Sequence, residues 1–161
     1  MKEITPLTQS IIEILRTRQW RVTFAESCTG GRLAAALTAI PGASDVFEGS
    51  CVVYANRIKH AWLGVREATL EGYGAVSREC VDEMLTGILA KSEAECAAAV
   101  SGIAGPTGGT PQKPVGTVYI GIHTPQRREV FHCLFDGDRE AIQEASVRFA
   151  YEKLAEFLQN A

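Results

Sequence analysis

Strand-like and helix-like runs alternate through the first hundred residues of this chain, and two further strand-like runs and one long helical run complete it. Alternation of that kind restricts the architecture sharply. Parallel strands need long crossovers, helices supply them, and those helices must then cover the sheet on both faces. Behind Pro6, the residues Leu7, Ile11, Ile14 and Leu15 recur at helical spacing, which predicts a first helix over residues 6–18. A strand over 21–25 follows, then a helix opening near Thr29 and running to Ile40, where Pro41 and Gly42 break the pattern. Residues 46–54 read as a second strand, and Asn56 is placed to cap a short helix carrying Lys59 and Trp62. Ser77 is a second N-cap candidate, ahead of a helix with Val81, Met84, Leu85, Ile88 and Leu89 on its apolar face. Residues 96–100 form the next buried strand, 101–109 a glycine-rich loop, and 115–124 and 127–135 an antiparallel hairpin at the sheet edge. Asp138 caps a last helix whose Ile142, Ala145, Phe149, Leu154 and Phe157 face the core. The expected fold is α/β, a three-layer α/β/α sandwich on a mixed, largely parallel sheet with an edge hairpin, read as one domain over residues 1–161.

Charge and cysteine usage narrow the partners. With 16 basic and 19 acidic residues spread along the chain and a net charge of −3, there is no basic footprint for nucleic acid or an anionic membrane. A small molecule is the expected partner. The five cysteines are scattered without a C-x-x-C pair, which suits free thiols in a cytoplasm better than a disulfide frame or a zinc site. No signal-peptide core and no apolar run of membrane-spanning length is present, so a cytoplasmic location is expected.

In open α/β sheets, ligands bind beyond the carboxyl ends of parallel strands, and three segments of this chain follow such ends. The first is Ala25-Glu26-Ser27-Cys28-Thr29-Gly30-Gly31, where a hydroxyl nucleophile and a glycine turn coincide. Ser27 needs a base, and His60, His123 and His132 are poorly placed for a triad. The second segment, Tyr54 to Lys59, offers an amine instead; Lys59 can act as a base if burial or a neighbouring cation such as Arg57 lowers its pKa, with Tyr54 relaying a proton or orienting the amine. Lys113 is the rival lysine. Adjacent residues on an extended segment point to opposite sides, so only one of Ser27 and Cys28 is expected to face the cleft, and a cysteine nucleophile stays open as an alternative. Backbone N–H groups of Thr29, Gly30 and Gly31 are candidate donors to an oxyanion or phosphate. In the third segment, the loop containing Gly102, Ala104 and Gly105 is a candidate phosphate cradle together with Arg139 at a helix start.

Those segments, with Pro41-Gly42-Ala43-Ser44, Gly74-Ala75-Val76-Ser77 and Lys113-Pro114-Val115-Gly116-Thr117-Val118, resemble in order the signature of the CinA C-terminal domain family, from about Gln9 to the C-terminus. Members of that family include nicotinamide-mononucleotide deamidases. The resemblance implies hydrolysis of the nicotinamide mononucleotide carboxamide to nicotinic acid mononucleotide and ammonia, with Ser27 as nucleophile and Lys59 and Tyr54 as its activating partners. It implies no cofactor and no metal, self-association into a homo-oligomer, and the stand-alone form without the extra N-terminal domain of longer members. Ala55 and Ser50-Cys51 depart from the family pattern beside the expected pocket. A non-catalytic nucleotide-binding module on the same fold is the alternative.

Overall fold

A computed structural model describes residues 2–161. Five strands form one sheet: β1 (Val22–Glu26), β2 (Phe47–Val52), β3 (Cys96–Gly102), β4 (Thr117–Thr124) and β5 (Arg127–Leu134). Their spatial order is β2-β1-β3-β4-β5, with β2, β1 and β3 parallel and β4 and β5 forming an antiparallel hairpin at one edge. Six helices surround it: α1 (Thr5–Arg18), α2 (Arg32–Thr38), α3 (Asn56–Leu63), α4 (Glu67–Gly72), α5 (Arg78–Ala90) and α6 (Arg139–Gln159). The mixed α/β sandwich expected from the alternating pattern is the fold observed.

Two apolar layers follow from the strand period of two. Phe24, Ala98, Val100, Ile120 and Ile122 point to the side covered by α1, α2 and α6. Ala25, Ala97, Ala99 and Val130 point to the other side, where Val81, Met84 and Leu85 of α5 and Leu63 of α3 cover them. Every residue of β1 is buried, as its central place demands.

Several element ends differ from those the sequence pattern predicts. α2 starts at Arg32 rather than near Thr29, because Gly30 and Gly31 take left-handed φ values of 56° and 97° and form a turn first. Asn56 is the first residue of α3 instead of its cap; Ala55 occupies the cap position, without a side-chain bond. Ser77 and Asp138 do cap, accepting from the N–H groups of Cys80 and Ala141. On α6, Ile142, Leu154 and Phe157 are buried, whereas Ala145 and Phe149 lie half-exposed. α4 has no counterpart in the periodicity, being too short to show a helical repeat.

The chain leaves β1 for β2 on one side and then returns for β3 on the other, so the strand order reverses about β1. Loops leaving neighbouring strands diverge there and open a crevice. Ser27, Tyr54 and the loop after Gly102 all lie at this end of the sheet.

Candidate active site

Ser27 is the first residue beyond β1, and both of its main-chain polar groups are engaged. Its N–H donates to the Val100 carbonyl at 2.9 Å and its carbonyl accepts from the Gly30 N–H at 3.0 Å. The side chain is thus offered from a fixed turn. Lys59, on α3, reaches it from the next strand crossing, with Nζ 3.1 Å from Ser27 Oγ and 2.8 Å from the Tyr54 carbonyl oxygen. Lys59 is 1% exposed, and removal from water lowers its pKa from the ordinary lysine value. Of the two activating conditions considered for this lysine, burial is the one at work.

Tyr54 meets Lys59 through its main chain. Its phenol is 60% exposed and accepts from Arg139 Nη2 at 3.0 Å, while Arg139 Nη1 donates to the Gly105 carbonyl at 2.7 Å. Arg139 therefore ties the strand end at Tyr54 to the glycine-rich loop, and Gly105 enters the site as an acceptor. A cleft of about 180 Å³ opens over Ser27 and Lys59, walled by Tyr54, Asn56, Val76 and Gly102. A second cavity, of about 560 Å³, lies beside Ala104, Pro106, Val115 and Arg139. Arg139 borders the larger space and holds Tyr54, which borders the smaller.

The glycine turn is arranged differently from the expectation of an open anion cradle. Gly31 donates its N–H to Glu26 Oε2 at 3.0 Å, Gly30 donates to Ser27, and Thr29 is fully buried with its hydroxyl on Glu26 at 2.8 Å. The N–H groups of Gly30 and Gly31 are therefore already engaged within the protein. Among the described residues the N–H groups of Cys28 and Thr29, the two residues after Ser27, have no hydrogen-bond partner, and Cys28 borders the cleft. The Cys28 side chain belongs to the core layer of α1, α2 and α6, where burial pushes its thiol up to about 12. With its side chain in that layer and Lys59 Nζ on Ser27 Oγ, Cys28 is the less well placed of the two for attack.

Other candidates fall away from the cleft. Lys113 donates to the Tyr73 carbonyl at 2.6 Å. His60 lies against the Val65 carbonyl, His123 beside Arg128, and His132 stacks on Tyr119. Two contributors escaped the sequence reading. Ser101 donates its hydroxyl to the Ala75 carbonyl at 2.8 Å and so fixes one wall. Gln143 donates to the Cys28 carbonyl at 2.8 Å from a buried position on α6. A lone amide beside Ile142 on a largely apolar helix face was the available signal for the latter.

Fold and site together define an α/β protein with a buried serine–lysine pair at the carboxyl ends of its parallel strands. The chain belongs to the CinA C-terminal domain family, whose model matches residues 4–158. It is 46% identical over 161 residues to a protein of Enterobacter agglomerans named nicotinamide-nucleotide amidohydrolase PncC, covering 99% of this chain and 98% of that one. It is 45% identical over 152 residues to a CinA-like protein of Thermotoga neapolitana; the match takes in 94% of this chain but spans 37% of that longer relative. Among solved structures, a CinA superfamily protein of Klebsiella pneumoniae superposes with a TM-score of 0.93 at 41% identity, covering 98% of each chain. The competence/damage inducible protein CihA of Agrobacterium tumefaciens gives a TM-score of 0.92 at 40% identity, over 97% of this chain and 95% of that one.

Proposed function

We propose that this chain, acting as one domain over residues 1–161, hydrolyses the carboxamide of nicotinamide mononucleotide to nicotinic acid mononucleotide and ammonia by a serine–lysine mechanism. The observation that carries the reading is Lys59 Nζ, 3.1 Å from Ser27 Oγ and buried so that its neutral form is favoured. The full-length likeness to a nicotinamide-nucleotide amidohydrolase supports the substrate.

Neutral Lys59 takes the Ser27 proton as Oγ attacks the carboxamide carbon; its contact to the Tyr54 carbonyl keeps the amine aimed. The unpartnered N–H of Cys28 serves the developing oxyanion in this reading, the position after the nucleophile that has this role in α/β-hydrolases. Protonated Lys59 then gives its proton to the departing nitrogen, ammonia leaves, and water cleaves the acyl ester by the same lysine-assisted route. A cleft of about 180 Å³ has room for the ring and its carboxamide only. The ribose phosphate would therefore extend past Tyr54 toward the larger cavity, where Arg139, which also holds Gly105 and Tyr54, is the cation in the wall.

The same reading makes the protein a cytoplasmic homo-oligomer. Five free cysteines suit a reducing compartment, and exposed Val52, Trp62 and Leu134 provide apolar surface for self-association. Among the described residues no helix is long and apolar enough to cross a membrane.

Ammonia release from nicotinamide mononucleotide, with mass-spectrometric detection of the acid product, tests the reaction. Ser27→Ala is expected to lower kcat by at least about a thousandfold with the fold intact. Ligand-dependent thermal stabilisation without product would instead establish the binding-module alternative. Arg139→Ala is expected to raise the KM for the nucleotide about tenfold, from loss of a charged hydrogen bond to phosphate. An unchanged KM would remove Arg139 from the phosphate site.

A further inference from the structure

The turn after β1 has the donors of an anion site, and the anion seated there is a side chain of the protein itself. Glu26 is 0% exposed. Its Oε2 accepts from Thr29 Oγ1 at 2.8 Å and from the N–H groups of Gly31 and Leu33, each at 3.0 Å. Its Oε1 accepts from the Ala34 N–H at 3.0 Å and from Ser50 Oγ at 3.1 Å. None of these partners is a cation. A buried carboxylate without a counter-charge is costly unless hydrogen-bond donors converge on it, and here they come from the turn, the first residues of α2 and strand β2.

We propose that Glu26 is the positioning residue for Ser27, an internal carboxylate that holds the nucleophile's turn in its reactive geometry. The inference rests on the reading of Ser27 as nucleophile. Glu26 precedes Ser27 in the chain and fastens Thr29, Gly31, Leu33 and Ala34 to the end of β1. That closes the turn in which the Gly30 N–H meets the Ser27 carbonyl and keeps Ser27 Oγ opposite Lys59 Nζ. A glutamine cannot replace it, because every neighbour is a donor and the amide N–H₂ would face another N–H.

The test is steady-state deamidation by the wild type, Glu26→Gln and Glu26→Ala, with sodium formate compared against sodium chloride at equal ionic strength. Displacement of the nucleophile by about an ångström costs on the order of a hundredfold, so kcat is expected to fall about that much in both variants with KM nearly unchanged. Formate, and not chloride, is expected to restore at least about tenfold of the lost kcat in Glu26→Ala by occupying the five vacated donors. Thr29→Val and Ser50→Ala remove one donor each and are expected to lower kcat several-fold at constant KM and near-native melting temperature. They decide the matter if the Glu26 variants do not fold. Wild-type kcat in any folded Glu26 variant, a folded Glu26→Ala indifferent to formate, or unchanged kcat in both single-donor variants overturns the proposal. In each of those cases the Ser27 reading survives if the wild type releases ammonia and Ser27→Ala does not. A wild type without turnover, or an active Ser27→Ala, overturns both.

Discussion

Replacing Lys59 with methionine is expected to lower kcat for ammonia release by about a thousandfold or more, the range for loss of a general base, while raising the melting temperature at neutral pH. Both effects have one origin. The lysine is 1% exposed and its amine has been taken out of water, which is what depresses its pKa. Between that depressed value and the ordinary lysine value, the unfolded chain binds more protons than the folded one, so stability rises with pH across the window. Methionine has a similar length and no proton to bind, so the variant loses this slope and is stabilised most where the lysine would be charged in the unfolded chain. Activity has the same direction: the base must be neutral, so wild-type kcat/KM rises as pH climbs through the folded pKa of Lys59. Rate profiles and thermal denaturation over the same pH series check both halves. Wild-type turnover in Lys59→Met would take the lysine out of the mechanism. A lower melting temperature at every pH would show that the amine's bonds to Ser27 and to the Tyr54 carbonyl outweigh its desolvation.

Periodicity and turn chemistry are local properties, and the parts of this protein that depend on them were legible in the sequence. The alternating elements, the caps at Ser77 and Asp138, and the edge hairpin follow from neighbours within a few residues. The meeting of Ser27 with Lys59 was partly legible, because the end of a parallel strand is a known place for chemistry and both residues follow such ends. What could not be read is which donor faces which acceptor across the fold. The glycine N–H groups read as an open cradle, yet Gly31 is satisfied by Glu26, which the sequence sets in the same segment as Ser27 without showing which donors it meets. The sequence offers Tyr54 to relay a proton or to orient the amine, and what meets Lys59 is its carbonyl, while its phenol accepts from Arg139. Gln143 approaches the Cys28 carbonyl from more than a hundred residues away, a contact no local pattern contains.

Gly87 shows how the same limit reaches stability. In a helix interior, glycine to alanine ordinarily gains up to about 1 kcal/mol from helix propensity, and Gly87 lies within α5, so sequence alone would predict a stabilising change. The fold reverses the sign. A Cβ added at Gly87 would stand 2.0 Å from the Leu63 carbonyl oxygen and 2.7 Å from its carbon. Those atoms are main chain at the end of α3, and unlike a side chain they cannot rotate away. Alanine must therefore push α3 off α5, breaking contacts among Leu63, Met84 and Ile88 in the core layer below. Gly87→Ala is expected to destabilise the fold by about 3 kcal/mol, the upper part of the usual range for overpacking, which lowers the melting temperature by roughly 10 °C in a domain of this size. Because α3 also carries Lys59, the same displacement is expected to reduce kcat more than it raises KM. Thermal denaturation and steady-state kinetics on one preparation measure both. An alanine variant that melts at or above the wild-type temperature would show that the α3–α5 spacing yields freely, and with it the support for the lysine. A melting point that falls while kcat holds would show that Lys59 is fixed by its bonds to Ser27 and the Tyr54 carbonyl, independently of the helix beneath it.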